Sequence, residues 1–391
     1  MLGAIIGDIV GSRWEFNPTN DYNFELFSDK NCFTDDTICT IAVADALLHG
    51  SDDYGKFIHE WCRKYPYPMG GYGGRFAQWV RSNNPQPYGS YGNGSAMRVS
   101  PVGWWYEDRE ALLEQAKKTA ECTHNHPEGI MGAQTVALAI HYAHELRDEI
   151  LHGIEGKKEL MAYATGFSRY NIDFKKEDVE NRFDETCQGT VPVALWIIYQ
   201  SYGFEDAIRR AVSLGADADT LGAIVGSIAE AIWGIPTDLR KMVERCLPEE
   251  MLQIIRAFYN SDKNYPAKQA KKSIARFAQR YIGFFEREFG RTPKSNYQFF
   301  DAQEFPDECR ILGFEMDCGH SFIEEYGEKA WIDIQELKEK TEKINDIQII
   351  GNALFSQWRY FNHWSSPSYA RENTKEWFLT LFIRLKELVE E

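Results

Sequence analysis

The sequence predicts an all-α protein: a helical domain around a central two-metal site, followed by a small C-terminal α or α+β module. Three observations carry that expectation. Alternating apolar and polar runs, the mark of strands, are scarce through the first part of the chain. Apolar residues instead recur at helical spacing behind two short acidic stretches: Ile38, Ile41, Ala42, Ala44 and Leu48 after Thr34-Asp35-Asp36-Thr37, and Leu221, Ile224, Val225, Ile228 and Ile232 after Asp217-Ala218-Asp219-Thr220. Gly3, Gly7 and Gly11 share one face of the opening segment, where missing side chains let another helix come close.

Residues 1–16 read as a buried helix. Glycine costs about 1 kcal/mol relative to alanine inside a helix, so three in register need a packing reason. Asp8, in an apolar stretch, is either a satisfied core carboxylate or a support for a site, and Glu15 can swing toward a site at the helix end. Both acidic stretches sit where helices begin. There Asp and Thr ordinarily cap free backbone N–H groups and suit the positive end of the helix dipole. Each carries more carboxylates than one cap requires, and small residues (Gly215, Ala216, Ala218, Gly222) let backbones approach. Brought together, the carboxylates repel one another unless hard, oxygen-seeking cations lie between them.

Residues 64–95 are rich in Gly, Asn and Pro and read as loop. Gly92-Asn93-Gly94-Ser95 then runs into Ala96-Met97-Arg98; free N–H groups in such a turn, with an arginine behind, suit a pyrophosphate, although many Gly-rich turns bind nothing. A helix is expected from about 107 to 122, then Thr123-His124-Asn125-His126-Pro127-Glu128-Gly129. The two histidines suit hydrogen bonding to ligand or loop, or plain structural use; a transition-metal site lacks a third nitrogen or thiolate nearby. Further helices are expected at about 130–146, from about 188, at 204–214 and up to Asn260, with 147–180 charged and irregular.

Residues 263–294 form a basic helical connector in this reading, with Ile274, Phe277, Tyr281, Phe284 and Phe285 on a stripe that suits a core or interdomain face better than a membrane anchor. The domain expectation is 1–262 for the main domain and 295–391 for an aromatic-rich module ending in a helix from Lys375 to Glu390. Asp317-Cys318-Gly319-His320 offers too few ligands for a metal. The module is a candidate for recognising a macromolecular substrate or for oligomer formation.

Against 43 Lys and Arg, the 391 residues carry 59 Asp and Glu, a formal net charge of −16. That balance disfavours nonspecific attraction to nucleic acid or anionic membrane, but not a phosphate-bearing ligand received by local cations or backbone N–H groups. Eight cysteines without a CxxC pair suit thiols in a reducing compartment. No basic leader and no apolar run near the ~18 residues of a membrane span are present, so a soluble, cytoplasmic protein without a membrane partner is expected.

Five motifs occur in one order: Gly7-Asp8-Ile9-Val10-Gly11 with Glu15, Phe33-Thr34-Asp35-Asp36-Thr37, Gly92-Asn93-Gly94-Ser95-Ala96-Met97-Arg98, Thr123 to Gly129, and Gly215-Ala216-Asp217-Ala218-Asp219-Thr220. Together they resemble the ADP-ribosylglycohydrolase family, which includes dinitrogenase reductase-activating glycohydrolases and ADP-ribosyl-arginine and ADP-ribosyl-serine hydrolases. The resemblance covers about residues 1 to 260. It implies an all-α fold with two Mg²⁺ or Mn²⁺ ions held by Thr34, Asp35, Asp36, Asp217, Asp219 and Thr220. Glu15, Asp35 and Asp36 become the catalytic acidic groups, with Asp36 or Glu15 removing a proton from water. Asn93, Gly94, Ser95, Met97, Arg98 and His126 line an ADP-ribose cleft. Ala216 stands where the family often has Gly, which narrows backbone freedom beside Asp217. The implied activity is hydrolysis of the bond joining ADP-ribose to a protein side chain, most readily arginine, with serine-type O-linkages as the alternative. The partners are an ADP-ribosylated protein and the ADP-ribose product; an ADP-ribosylated nucleic acid stays open as acceptor. A non-catalytic ADP-ribose-binding protein would not need every acidic residue, and a metal-dependent phosphohydrolase would release phosphate instead.

Overall fold

The computed structural model describes residues 1–261, 263–292, 299, 304–312, 314, 316–364 and 373–390. It divides into two compact units, Met1–Pro266 and Ala267–Glu391. The first unit holds α1 (Leu2–Gly11), α2 (Asp35–Leu48), α3 (Tyr54–Lys64), α4 (Gly74–Arg81), α5 (Gly94–Met97), α6 (Ser100–Trp105), α7 (Arg109–Glu121), α8 (Pro127–Glu145), α9 (Arg147–His152), α10 (Ile154–Ser168), α11 (Lys176–Val179), α12 (Cys187–Gln200), α13 (Phe204–Val212), α14 (Ala218–Trp233), α15 (Thr237–Glu244) and α16 (Glu249–Asn260). Among the described residues there is no strand, and the β-type pairing is a single bridge between Gly92 and Thr186.

The middle of this unit is the pairing of α1 with α14. Every residue of α1 is buried, and every residue of α14 except Trp233, as expected of helices apolar on all sides. The glycine register explains how closely they cross. A Cβ built on Gly3 would overlap the Gly226 carbonyl, one on Gly7 the Gly222 carbonyl and one on Gly11 the Ala218 carbonyl. The packing reason for three glycines in register is therefore a second helix that meets them with Gly226, Gly222 and Ala218. One end of the seam is fastened by Glu230, which accepts from the Gly3 N–H at 2.8 Å and from the Tyr259 hydroxyl.

Two stretches depart from expectation. The Gly- and Pro-rich run 64–95 contains α4, which buries Phe76, Trp79 and Val80 at three- and four-residue spacing. The charged run 147–180, expected to be irregular, contains the fifteen-residue α10. Its buried Gly156, Lys157, Leu160, Met161, Ala164 and Ser168 follow helical spacing, while Glu155, Lys158 and Glu159 are exposed.

In the second unit the described elements are helices and a 3₁₀ turn, so of the α and α+β alternatives they contain the first. Helix α17 (Tyr265–Arg287), which lies in this unit from Ala267 on, brings Ile274, Phe277, Tyr281 and Phe285 into one core with Phe305, Phe322, Leu354, Phe378 and Phe382. The basic stretch expected to connect two domains thus packs within this unit, because its apolar stripe needs a core. The final helix runs Thr374–Glu390. Asp317 accepts from the Gly319 and Ser321 N–H groups and from Ser356 Oγ, a turn and cap role. Of the aromatic run 297–300, Tyr297 and Phe300 lie outside the described residues, as do Pro293 and Lys294. Among the described residues no helix is long and apolar enough to cross a membrane.

Candidate active site

Asp8 organises the first acidic motif from below. It is fully buried on α1, and its carboxylate accepts from the Thr34 and Thr37 N–H groups at 3.0 Å each, from Thr34 Oγ1 at 2.8 Å and from Thr37 Oγ1. These bonds fix the first turn of α2, where Thr34 is the N-cap and accepts from the Asp36 N–H at 3.2 Å. Burial pushes Asp8 up to about 6, while the same bonds pull it down.

The second motif opens α14, and the glycine seam delivers it to the first. Thr220 Oγ1 donates to Asp36 Oδ2 at 3.3 Å, joining two stretches 184 residues apart. Beside them, one oxygen each from Glu15, Asp217 and Asp219 lie within 4.8 Å of one another. Asp217 is held by Asn93, whose Nδ2 donates to Asp217 Oδ2 at 2.7 Å and to Thr190 Oγ1 at 3.1 Å. Asp36 Oδ1 is buried and has no hydrogen-bond partner among the described residues.

The electrostatics are those of carboxylates pressed together out of water. Burial, followed by the charges of Asp8 and Glu15, pushes Asp35 up to about 8. Burial, followed by the charge of Asp217, pushes Glu15 up to about 7. Asp36 and Asp219 are raised well above the usual carboxylate range, again by burial first and then by neighbouring carboxylates. Such a set is costly to keep ionised without positive charge between its members. An all-oxygen donor set of carboxylates and hydroxyls, with one buried oxygen left over, fits hard divalent cations such as Mg²⁺ or Mn²⁺ rather than a soft metal.

These groups form one wall of a cleft of about 400 Å³. Glu15, Asp35, Asp36, Asp217, Asp219 and Thr220 line it, as do Asn93, Gly94, Met97 and Arg98 from the turn at α5. Arg98 is almost fully buried; its Nη2 donates to Thr119 O and Thr123 Oγ1, both at 2.7 Å, and its Nε has no partner among the described residues. A buried guanidinium with a free donor beside a Gly-rich turn suits an anion.

Three residues expected in the site stand elsewhere. Thr34 is behind the lining, between Asp8 and Asp36. Ser95 is fully buried and donates to Gly129 O at 2.7 Å. His126 is the N-cap of α8, with Nδ1 accepting from the Glu128 N–H at 3.1 Å and its ring 5.1 Å from Tyr91. The histidine that lines the cleft is His124, two residues earlier. Its Nδ1 pairs with Thr123 Oγ1 at 2.7 Å, and burial, then the charges of Arg98 and Arg75, holds its pKa well below the usual histidine value, so it is neutral. Pro127, at the first helical position of α8, was the signal that His126 is a cap.

The lining also includes Phe16, Arg75, Tyr88 and Glu185, which periodicity and motif left unmarked. Arg75 donates to Tyr88 O and lies 4.8 Å over the Tyr88 ring.

The ADP-ribosylglycohydrolase family model matches residues 1–267. ADP-ribosylarginine hydrolase Tri1 of Pseudomonas putida is 27% identical over 296 residues, covering 65% of this chain and 74% of that one. The ADP-ribosyl-[dinitrogen reductase] glycohydrolase of Rhodospirillum rubrum is 25% identical over 255 residues, 60% of this chain and 84% of the relative. Human ADP-ribosylhydrolase ARH3 is 26% identical over 306 residues, with 60% and 84% covered. A solved structure described as an ADP-ribosylglycohydrolase-related protein complex aligns with a TM-score of 0.49 at 28% identity, over 66% of this chain and 94% of that one.

Proposed function

The chain belongs to the ADP-ribosylglycohydrolase family, whose members are hydrolases of ADP-ribose linkages, and we propose that the linkage it cuts joins ADP-ribose to a modified arginine on a protein. The observation that carries this reading is the meeting of Glu15, Asp217 and Asp219 within 4.8 Å, in the same cleft as the Asn93–Arg98 turn. The names of the Pseudomonas putida and Rhodospirillum rubrum relatives support the arginine acceptor and the modified-protein substrate. A serine-type linkage is the second reading, favoured by the likeness to ARH3.

Asp35, Asp36, Asp217, Asp219 and Thr220 would hold two divalent cations, Mg²⁺ or Mn²⁺, with Glu15 beside them and Thr34 behind them, capping the turn. When bound, such ions supply Lewis acidity and positive charge against the ribose oxygens. The chain's own residues do the rest. Asn93 locks Asp217, and Asp8 locks the turn that carries Asp35 and Asp36. The Gly92 and Asn93 N–H groups are taken by Ser90 Oγ and the Glu185 carbonyl, so the Arg98 guanidinium, with its unpartnered Nε, and the Gly94 end of the turn would receive the diphosphate. Neutral His124 offers Nε2 at the same turn without adding charge.

In the reaction the bond between the anomeric carbon and the guanidino nitrogen breaks while a water oxygen bonds to that carbon. Positive charge develops on the ribose as the bond lengthens, and the carboxylate wall stabilises it. Asp36, with its unpartnered Oδ1, or Glu15 accepts the proton of the attacking water, and a proton returned to the guanidine balances the loss.

The test is release of ADP-ribose from arginine-modified and serine-modified proteins with Mg²⁺, Mn²⁺ or EDTA, beside an Asp217→Ala/Asp219→Ala variant. Cation-dependent release from the arginine-modified protein, lost in the variant, is expected. Release from the serine-modified protein alone would replace the acceptor, and binding of ADP-ribose without release from either would end the catalytic assignment.

A further inference from the structure

The cleft lining is chemically mixed. Arg98, His124 and the Gly-rich turn make part of it receptive to an anion. Glu185 and Phe16 line the same cleft, where a carboxylate repels a diphosphate and an exposed ring offers its face to a planar group. Glu185 precedes α12, and its main chain is anchored because its carbonyl accepts from the Asn93 N–H at 2.7 Å. Its side chain is exposed, has no hydrogen-bond or ion-pair partner among the described residues, and adds its charge to those already raising Glu15 and Asp217. It lies outside the group of three carboxylates whose oxygens converge. Phe16 follows Glu15 directly and is 72% exposed, an aromatic ring kept in water at the mouth of a polar cleft.

Because Glu185 stands outside the carboxylates that would hold the divalent cations, its charge is left for a cation that arrives with the substrate. An ADP-ribosyl group brings none, since its diphosphate is negative and its ribose hydroxyls are neutral. The acceptor brings one if it is arginine: a planar guanidinium, with N–H donors in a fork that matches a carboxylate and a flat face that stacks on an aromatic ring. We propose that Glu185 and Phe16 read the acceptor, Glu185 taking the guanidinium N–H groups and Phe16 stacking on its plane, and so set the preference for arginine over a neutral serine linkage. This rests on the arginine reading of the linkage given above. It assigns the two residues to the leaving group, not to the ADP-ribose or to the cations.

The experiment compares wild type, Glu185→Gln and Phe16→Leu on one peptide carrying ADP-ribose on arginine and on a matched peptide carrying it on serine. Affinity for free ADP-ribose is measured by calorimetry in the presence of Mg²⁺. Loss of one charge-assisted contact predicts a fall of about tenfold in the arginine-to-serine ratio of kcat/KM for Glu185→Gln, carried mainly by KM, with ADP-ribose bound as in wild type. Phe16→Leu should lower the same ratio by about threefold. If wild type releases nothing from the arginine peptide, the arginine reading itself fails and this assignment falls with it. If wild type does cleave that peptide and the variants keep its ratio, only the present assignment is overturned. A Glu185→Gln variant that loses ADP-ribose affinity as well would move Glu185 to the ribose or cation end, which also overturns it.

Discussion

Gly7→Ala tests whether the site depends on the α1–α14 seam. A Cβ on Gly7 would overlap the Gly222 carbonyl and lie 2.8 Å from the Ala223 nitrogen. Both obstacles are backbone, so neither can swing aside; carbon contacts settle near 3.5 Å or beyond, and the helices must part by about an ångström. Overpacking of this kind costs about 1–3 kcal/mol, occasionally more, and the better helix propensity of alanine returns about 0.5–1 kcal/mol. Because the clash is with main chain on both sides, a net loss of about 2 kcal/mol is expected, or about 4–8 °C in Tm for a unit of this size. Gly166→Ala is the control: it lies in α10, its φ is ordinary for a helix, and nothing is within 4 Å of an added Cβ, so it should raise stability by about 0.5–1 kcal/mol. Thermal denaturation of the two variants gives the comparison, and calorimetric titration with Mn²⁺ gives the second readout, since Asp8 rides on α1 and Asp219 on α14. Gly7→Ala melting at or above wild type, with unchanged Mn²⁺ affinity, would refute the reasoning.

Asp8→Asn replaces an acceptor of four donors with a group that brings donors of its own; a loss of about 2–4 kcal/mol and weaker Mn²⁺ binding are expected by thermal denaturation and calorimetry, and an unchanged Tm would contradict it. Asp36→Asn should lower ADP-ribose release by about 10²–10⁴-fold with an unaltered circular dichroism spectrum, and near-normal turnover would remove Asp36 from the chemistry. Asp35 and Glu15, held at about 8 and about 7, sit above their unfolded values. A carboxyl raised by folding stabilises fully below its unfolded pKa and less as pH climbs through its folded pKa. In EDTA, Tm should therefore fall from about pH 4 to about pH 8, and saturating Mn²⁺ should flatten that slope; a rise in EDTA over the same range would count against the buried carboxylate cluster.

How much of this was legible beforehand follows from the range of each signal. The glycine spacing at 3, 7 and 11 is local and periodic, so it announces a close helix contact, but that Gly222 and Gly226 supply the other side depends on a pairing more than 200 residues away. Likewise, each acidic motif announces a helix start by itself, and only the fold brings Thr220 to Asp36. The α10 helix was hidden because Glu155, Lys157, Lys158 and Glu159 crowd its first turns and one of them, Lys157, falls within its buried stripe. His124 and His126 look alike in sequence, and the geometry of α8 separates them. Glu185 carried no signal at all, because an exposed carboxylate in a charged run has no periodicity to betray it.

The seam also explains why a structural glycine and a chemical carboxylate are adjacent in the chain. Asp8 follows Gly7, so the residue that lets α1 touch α14 fixes the height of the one that grips the first turn of α2. On the facing helix Asp219 and Thr220 precede Gly222, so the same contact fixes the second motif. Carboxylates this close repel one another, and repulsion by itself would spread the two helix starts apart. Backbone-to-backbone packing, which leaves no side chain to yield, is what can hold them against that force before any cation arrives. A wider seam with alanine in these positions would keep the helices and the hydrophobic core and still fail to bring Asp36 and Thr220 within reach of each other.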